Sequence, residues 1–212
     1  MSTVAVIDYG MGNLRSVSKA LEFVADGHRV VVSQDPEQIR QADRVVLPGV
    51  GALRDCLAEC HRLELTDVIA ECAGDRPFLG ICLGMQALLD DSEENDGTAG
   101  LGIVPGHVLH FSGQAAGRAL KIPHMGWNQV HQEFSHPLFR GIKQDARFYF
   151  VHSYYVAPAQ QDVIAATTEY GQVSTSALAR RNIFAVQFHP EKSQHDGLTL
   201  LANFLSWDGT AT

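Results

Sequence analysis

Pro77-Phe78-Leu79-Gly80-Ile81-Cys82-Leu83-Gly84-Met85-Gln86 (PFLGICLGMQ) joins an apolar run to a tight, glycine-flanked turn. Phe78 to Ile81 has the composition of a short parallel strand buried on both faces. Cys82 lies between Gly80 and Gly84, and Leu83 to Leu89 reads as a helix start. Strand, sharp turn and helix are the parts of a nucleophile elbow, with cysteine where hydrolases more often carry serine. Neighbours without a Cβ let backbone and substrate approach a reactive atom on such a turn. At a helix N-terminus, free N–H groups and the dipole favour an anion, which raises a thiol's thiolate fraction and also suits an oxyanion. A buried structural cysteine beside packing glycines is the plain alternative.

Ala185-Val186-Gln187-Phe188-His189-Pro190-Glu191-Lys192-Ser193 is a second apolar run ending in polar chemistry. In an extended chain, residues i and i+2 face the same side, so His189 and Glu191 are expected to point together. Glu191 would then orient the imidazole and stabilise its protonated form. Pro190 has no N–H to donate, which fits a strand leaving its sheet. Taken alone, His-Pro-Glu also suits a surface turn. With the cysteine elbow, it supplies the parts of an activated thiol nucleophile.

Around these stretches, strands and helices alternate. Thr3 to Asp8, Arg29 to Ser33 and Arg44 to Leu47 read as buried strands. Helices are expected over Leu14 to Ala25, after the Asp35-Pro36 start signal, and as one long helix from Ala52 to Ala73. This pattern predicts a mostly parallel sheet with helices on both faces. Ligands bind such sheets at the strands' carboxyl ends, where Cys82 and Pro48–Gly51 fall. The turn Tyr9 to Asn13 lacks both the dinucleotide glycine spacing and the P-loop lysine. From Gly106 onward the strands Val108–Phe111, Trp127–Val130, Phe148–Tyr154 and Val163–Thr168 follow with little helix between, which predicts added antiparallel strands. Residues 112–118 read as a loop tip without function. A last helix spans about His195 to Leu205, and Asp208 to Thr212 is expected to fray.

A chain of 212 residues fits a single domain, 1–212. Its formal charge of −8 weighs against a nucleic-acid groove. No apolar run has the length of a membrane span, and the first strand starts close to Met1, so a cytoplasmic protein is expected. Cys56, Cys60, Cys72 and Cys82 lack disulfide-scaffold spacing, and the ten histidines show no metal-ligand pattern. Neither a metal nor an organic cofactor is expected.

The cysteine elbow and His-x-Glu resemble the class I glutamine amidotransferases, with a Cys, His, Glu triad in this chain order. Ile7 to Val17, Leu47 to Ala52, Ile122 to Asn128 and Phe150 to Tyr155 resemble one branch, the glutaminase subunits of imidazole glycerol phosphate synthases. The likeness extends over essentially the whole chain. It implies a flavodoxin-like α/β fold and a catalytic Cys82, His189 and Glu191. Backbone N–H groups around Val50, Gly51 and Leu83 would form the oxyanion hole. Gln86, Glu94, His152, Ser153 and Tyr154 would bind L-glutamine, Glu94 meeting its α-ammonium. The implied partner is a separate (β/α)8-barrel cyclase, docked as a heterodimer through a face including Trp127, Tyr149 and Lys192. Ala185 departs from the family pattern, where glycine commonly precedes Val-Gln-Phe-His-Pro-Glu. Competing readings are a paralogue feeding a surface-sugar or anthranilate synthase, a non-catalytic scaffold, and a cysteine peptidase on a related fold.

Overall fold

The computed structural model describes residues 2–111, 114–115 and 118–210. Its first half alternates β1 (Thr3–Ile7), α1 (Leu14–Phe23), β2 (Arg29–Ser33), α2 (Pro36–Arg40), β3 (Arg44–Gly49), α3 (Leu53–Arg62), α4 (Leu65–Asp75), β4 (Phe78–Cys82) and the single turn α5 (Leu83–Gln86). Strands dominate the second half: β5 (Asp91–Ser92), β6 (Thr98–Ala99), β7 (Gly106–His110), β8 (Gln114–Ala115), β9 (Arg118–Ala119), β10 (His124–Gln132) and β11 (Ala146–His152). They continue as β12 (Tyr154–Pro158), β13 (Ile164–Glu169), β14 (Val173–Arg180) and β15 (Ile183–Val186), before helix α6 (Gln194–Ser206). Within the expected 112–118 loop, β8 and β9 form a small hairpin, and its other residues before β9 lie outside the described set, as do 211–212 of the expected frayed end.

The main sheet runs β2-β1-β3-β4-β15-β14-β12-β7-β5-β6, with β13 also on β14 and β10 linking β13 to β11. From β2 to β15 every pairing is parallel. Beyond β15 the pairings turn antiparallel, apart from β5 with β7. Period-two alternation divides the core. Ala5, Ile7, Val45, Leu47 and Phe78 pack with α2, α3 and α4, whereas Val4, Val6, Val46, Leu79 and Ile81 pack with α1 and α6. The expected parallel sheet with helices on both faces and antiparallel additions is therefore the architecture found.

Three local expectations are corrected. The single helix Ala52–Ala73 is two helices, because Glu64 adopts a left-handed φ of 57° between them. The buried stripe Leu53, Cys56, Cys60 would continue at charged Glu64; the break skips it and returns Leu65, Val68, Ile69 and Cys72 to the same core. Phe148–Tyr154 is interrupted at Ser153, where the chain passes from β11 to β12. Strand β14 was not expected at all: its buried Ser174, Thr175 and Ser176 lack the bulky apolar signature of a central strand.

Close packing sets the elbow. A Cβ on Gly84 would lie 1.9 Å from the Leu47 carbonyl oxygen, so this turn abuts β3 only as glycine. Ala185 faces Gly80 in the parallel register of β15 and β4. Its methyl lies 3.1 Å from where a Gly80 Cβ would sit, so the absent side chain on β4 makes room for the extra methyl on β15.

His136 is buried against Phe184 and Trp207, with Nδ1 accepting from the Leu138 N–H at 3.2 Å. Burial pushes its pKa down to about 4. Between pH 4 and 6.5 the unfolded chain therefore binds more protons than the native one, and stability falls as pH drops through that window. His136→Asn keeps an acceptor for Leu138 but cannot titrate there. Urea midpoints from pH 7 to 4 should show a pH slope smaller than wild type, by up to about 1.4 kcal/mol per pH unit. An unchanged slope would exclude His136 as a source of acid sensitivity.

Candidate active site

Cys82 ends β4 with φ 54° and ψ −107°, a conformation that bulky L-residues rarely adopt. Such strain concentrates where a side chain must be presented to a ligand. The helix after it is shorter than expected. With only four residues, α5 supplies one turn of free N–H groups rather than the dipole of a long helix. Gly49 pairs with Cys82 in the β3–β4 register, which brings Val50 and Gly51 beside the sulfur's turn. Gly51 takes φ +97°, open to glycine and strained for other residues.

His189 and Glu191 come together by a route other than strand alternation. Strand β15 stops at Val186, and Pro190–Lys192 form a 3-10 turn. This turn folds Glu191 back, so that Oε1 lies 2.9 Å from His189 Nδ1, with both side chains almost wholly buried. Burial by itself lowers the imidazole pKa. The nearness of Cys82 and the hydrogen bond and charge of Glu191 outweigh it and push His189 up to about 10. Nε2, the ring's other nitrogen, is buried without a hydrogen-bond partner. Ser193 braces the turn, donating to the His189 carbonyl at 2.6 Å and accepting from the Tyr149 N–H at 3.0 Å.

Cys82 and His189 open onto a cavity of about 290 Å³. Val50, Gly51 and Leu83 form one side of its lining. Gln86, Glu94, His152, Ser153 and Tyr154 line it as well, so all the residues expected to bind or activate substrate meet there except Glu191, which stands behind His189. Glu94 is held in a short 3-10 turn, Glu94–Asp96. Its Oε2 accepts from the Leu53 N–H at 2.7 Å, at the start of α3. Trp127, Tyr149 and Lys192 are not in the cavity. They cluster nearby, with Trp127 edge-on to Tyr149 at 6.1 Å and the Lys192 ammonium 5.9 Å from the Tyr149 ring centre. Trp127 and neighbouring Met125 are exposed.

Several participants were invisible to sequence reading. Tyr9 donates its hydroxyl to the Pro48 carbonyl at 2.9 Å, pinning the base of the Val50–Gly51 loop. Burial, with Cys56 beside it, raises the Tyr9 pKa, so the phenol remains a donor. His124 Nδ1 lies 2.9 Å from His152 Nε2, and His152 Nδ1 donates to the Tyr154 carbonyl at 2.7 Å. Burial holds both rings neutral, at about 4 and about 3 respectively. Gln187, fully buried, donates from Nε2 to Cys82 Sγ at 3.6 Å. A polar residue inside Ala-Val-Gln-Phe, two positions before His189, is the one signal that could have found it.

The class-I glutamine amidotransferase family model matches residues 5–207. The chain belongs to the class I glutamine amidotransferases. Among curated members of this family, it is 63% identical to the imidazole glycerol phosphate synthase subunit HisH of Nitrosococcus oceani, over 100% of both chains. It is 58% identical to subunit HisH 1 of Pseudomonas aeruginosa, over 99% of each. The amidotransferase fold recurs in solved structures of low identity. PurLQS from Thermotoga maritima aligns with a TM-score of 0.72 at 18% identity, over 97% of this chain and 98% of that one. The crystal structure of another glutamine amidotransferase aligns at 0.71 and 17%, over 96% and 97%.

Proposed function

We propose that this chain is the glutaminase subunit of an imidazole glycerol phosphate synthase, hydrolysing L-glutamine to glutamate and ammonia for histidine biosynthesis. The observation that carries this reading is Cys82 and His189 opening onto one cavity, with Glu191 paired to His189 behind it, in a chain so similar to HisH subunits along its full length. The Cys82 thiolate attacks the side-chain carboxamide carbon, and the N–H groups of Val50 and Leu83, with Gly51 shaping the loop, receive the oxyanion. As the C–N bond breaks, protonated His189 gives its proton to the departing ammonia. Neutral His189 then takes a proton from water, whose oxygen attacks the thioester carbon. The C–S bond breaks, releasing glutamate and restoring the thiolate and imidazolium. Glu191 orients the ring through Nδ1 and stabilises its charge.

Recognition of the amino acid uses the rest of the lining. Glu94 has one oxygen on α3 and the other free for an α-ammonium; Gln86, His152, Ser153 and Tyr154 shape the opposite side. Ammonia passes to a separate (β/α)8-barrel cyclase, forming a heterodimer, where it completes imidazole glycerol phosphate and an aminoimidazole carboxamide ribotide.

The test is glutamate release by purified chain with and without a barrel cyclase and its phosphoribulosyl formimino acceptor. Stimulated release supports the reading. Absence of release from an assembled complex would leave a scaffold role, and release from peptides but not glutamine would leave a peptidase. Trp127 and Tyr149 form part of the proposed docking face, with Lys192 on the Tyr149 ring. Alanine at either aromatic should weaken association by about 1 kcal/mol or more in a calorimetric titration. Unchanged affinity for both variants would remove them from the interface.

A further inference from the structure

Gln187 is the only fully buried glutamine among the described residues, and it directly follows the last residue of β15. A buried amide is retained without penalty only when its groups find partners. Its backbone N–H donates to the Ser176 carbonyl at 2.9 Å, which ties it to β14. Its side chain has two neighbours. Gln86 Nε2 lies 3.1 Å from Gln187 Oε1, and Gln187 Nε2 lies 3.6 Å from Cys82 Sγ.

The orientation of both amides follows from one atom that cannot change roles. The Tyr154 carbonyl oxygen only accepts, so Gln86, 3.3 Å away, must present its NH2 there. The second hydrogen of that NH2 then faces Gln187, which must answer with its oxygen. Flipping Gln187 would set two NH2 groups against each other, so the end near the sulfur is the donor. A chain of hydrogen bonds thus links the Tyr154 carbonyl, through the Gln86 NH2 that donates to it and to Gln187, to the Gln187 NH2 that donates to Cys82.

We propose that Gln187 is a positioning residue for the nucleophile, its amide donating to Cys82 Sγ and holding the sulfur as a thiolate aligned for attack. This rests on the reading of Cys82 as nucleophile. The contact is worth more to a thiolate than to a thiol, because a charged acceptor strengthens the hydrogen bond. It approaches from β15, the strand that also leads to His189, so sulfur and imidazole are registered against one element. Gln86 and Tyr154 line the cavity, so substrate that presses on them also firms the donor on the sulfur.

Two full-chain variants test this. Gln187→Met keeps length and bulk but removes the donor; Gln187→Glu turns an oxygen, charged when ionised, toward the sulfur. Iodoacetamide is the probe, with the alkylated residue mapped by mass spectrometry, beside glutamine hydrolysis by the assembled complex. Gln187→Met should slow Cys82 alkylation at pH 7 about tenfold and lower kcat about tenfold, on the scale of one lost charged hydrogen bond. KM should change little, and the acid limb of the kcat/KM profile should move to higher pH. Gln187→Glu should be slower still. Wild-type alkylation and kcat in either folded variant would overturn the proposal. So would a rise in KM with alkylation unchanged, since that places Gln187 on the substrate. If Gln187→Met does not fold, Gln187→Glu decides by the same readouts. The underlying reading fails separately: glutamine hydrolysis surviving in Cys82→Ala removes the nucleophile whatever Gln187 does.

Discussion

Cys82→Ala should lower glutamine-dependent turnover by about 10⁴–10⁶-fold, while synthesis from added ammonium salt stays near wild type. The asymmetry is the informative part. Removing the sulfur removes the only atom proposed to bond to the carboxamide, but leaves the fold almost untouched. Cys82 is already buried, and alanine loses only the sulfur from a side chain that belongs to the same core cluster as Leu79, Ile81 and Phe188. Ammonia supplied from solution bypasses the missing step. Glutamine-supported turnover in this variant, or a thioester mapped to Cys56, Cys60 or Cys72, would refute the mechanism. Those three thiols are buried on the opposite face of the sheet, with α3 and α4.

Glu191→Gln should reduce glutamine hydrolysis by about 10²–10⁴-fold with the fold intact, as expected when the group that orients a catalytic imidazole loses its charge. The substitution is nearly isosteric, and the site is closed to water, so no solvent ion replaces the carboxylate. A second consequence appears in stability. His189 is raised to about 10, against an ordinary value near 6.5. Between those values the native state holds a proton that the unfolded chain releases. The stabilisation from this proton is complete below about pH 6.5 and disappears as pH rises toward 10. Wild type should therefore lose stability with alkalinity across that window, and Glu191→Gln should lose less per pH unit. Equal urea-midpoint profiles from pH 6.5 to 10 would show that the carboxylate does not hold the imidazole charged.

Much of the site was readable because its chemistry resides in two short stretches. Cys82 announces itself by its glycines, and His189 and Glu191 by their spacing on an apolar run. Yet the reason given for His189 and Glu191 was wrong in detail: a 3-10 turn, not an extended strand, makes their contact. Tyr9, His124 and Gln187 were illegible for a different reason. Each touches a residue far away in the chain, so its contact exists only after the strands have stacked. Tyr9 and Pro48 are 39 residues apart, and Gln187 and Cys82 are 105. The parallel half of the sheet was legible because its strands are bulky and apolar. Strand β14 was not, since its small hydroxyl-bearing residues read as loop although they are buried. The kink at Glu64 was hidden by composition that suits a helix on either side of it.

The order of strands has a consequence for the protein while it is being made. Strand β4 carries Cys82 and emerges early, but its neighbour on one side is β15, about a hundred residues later. At roughly 5–20 residues per second, about 5–20 s of translation separate them. Throughout that interval the nascent chain holds the proposed nucleophile on a strand with one open edge, the kind of edge that recruits other chains. A ribosome stalled before Ile183 has made Cys82 but neither the strand that covers this edge nor His189. An abortive product of this gene is therefore expected to lack the proposed base and to expose an open sheet edge. Only a nearly finished polypeptide closes the sheet on β15, and by the same step it acquires its proposed base.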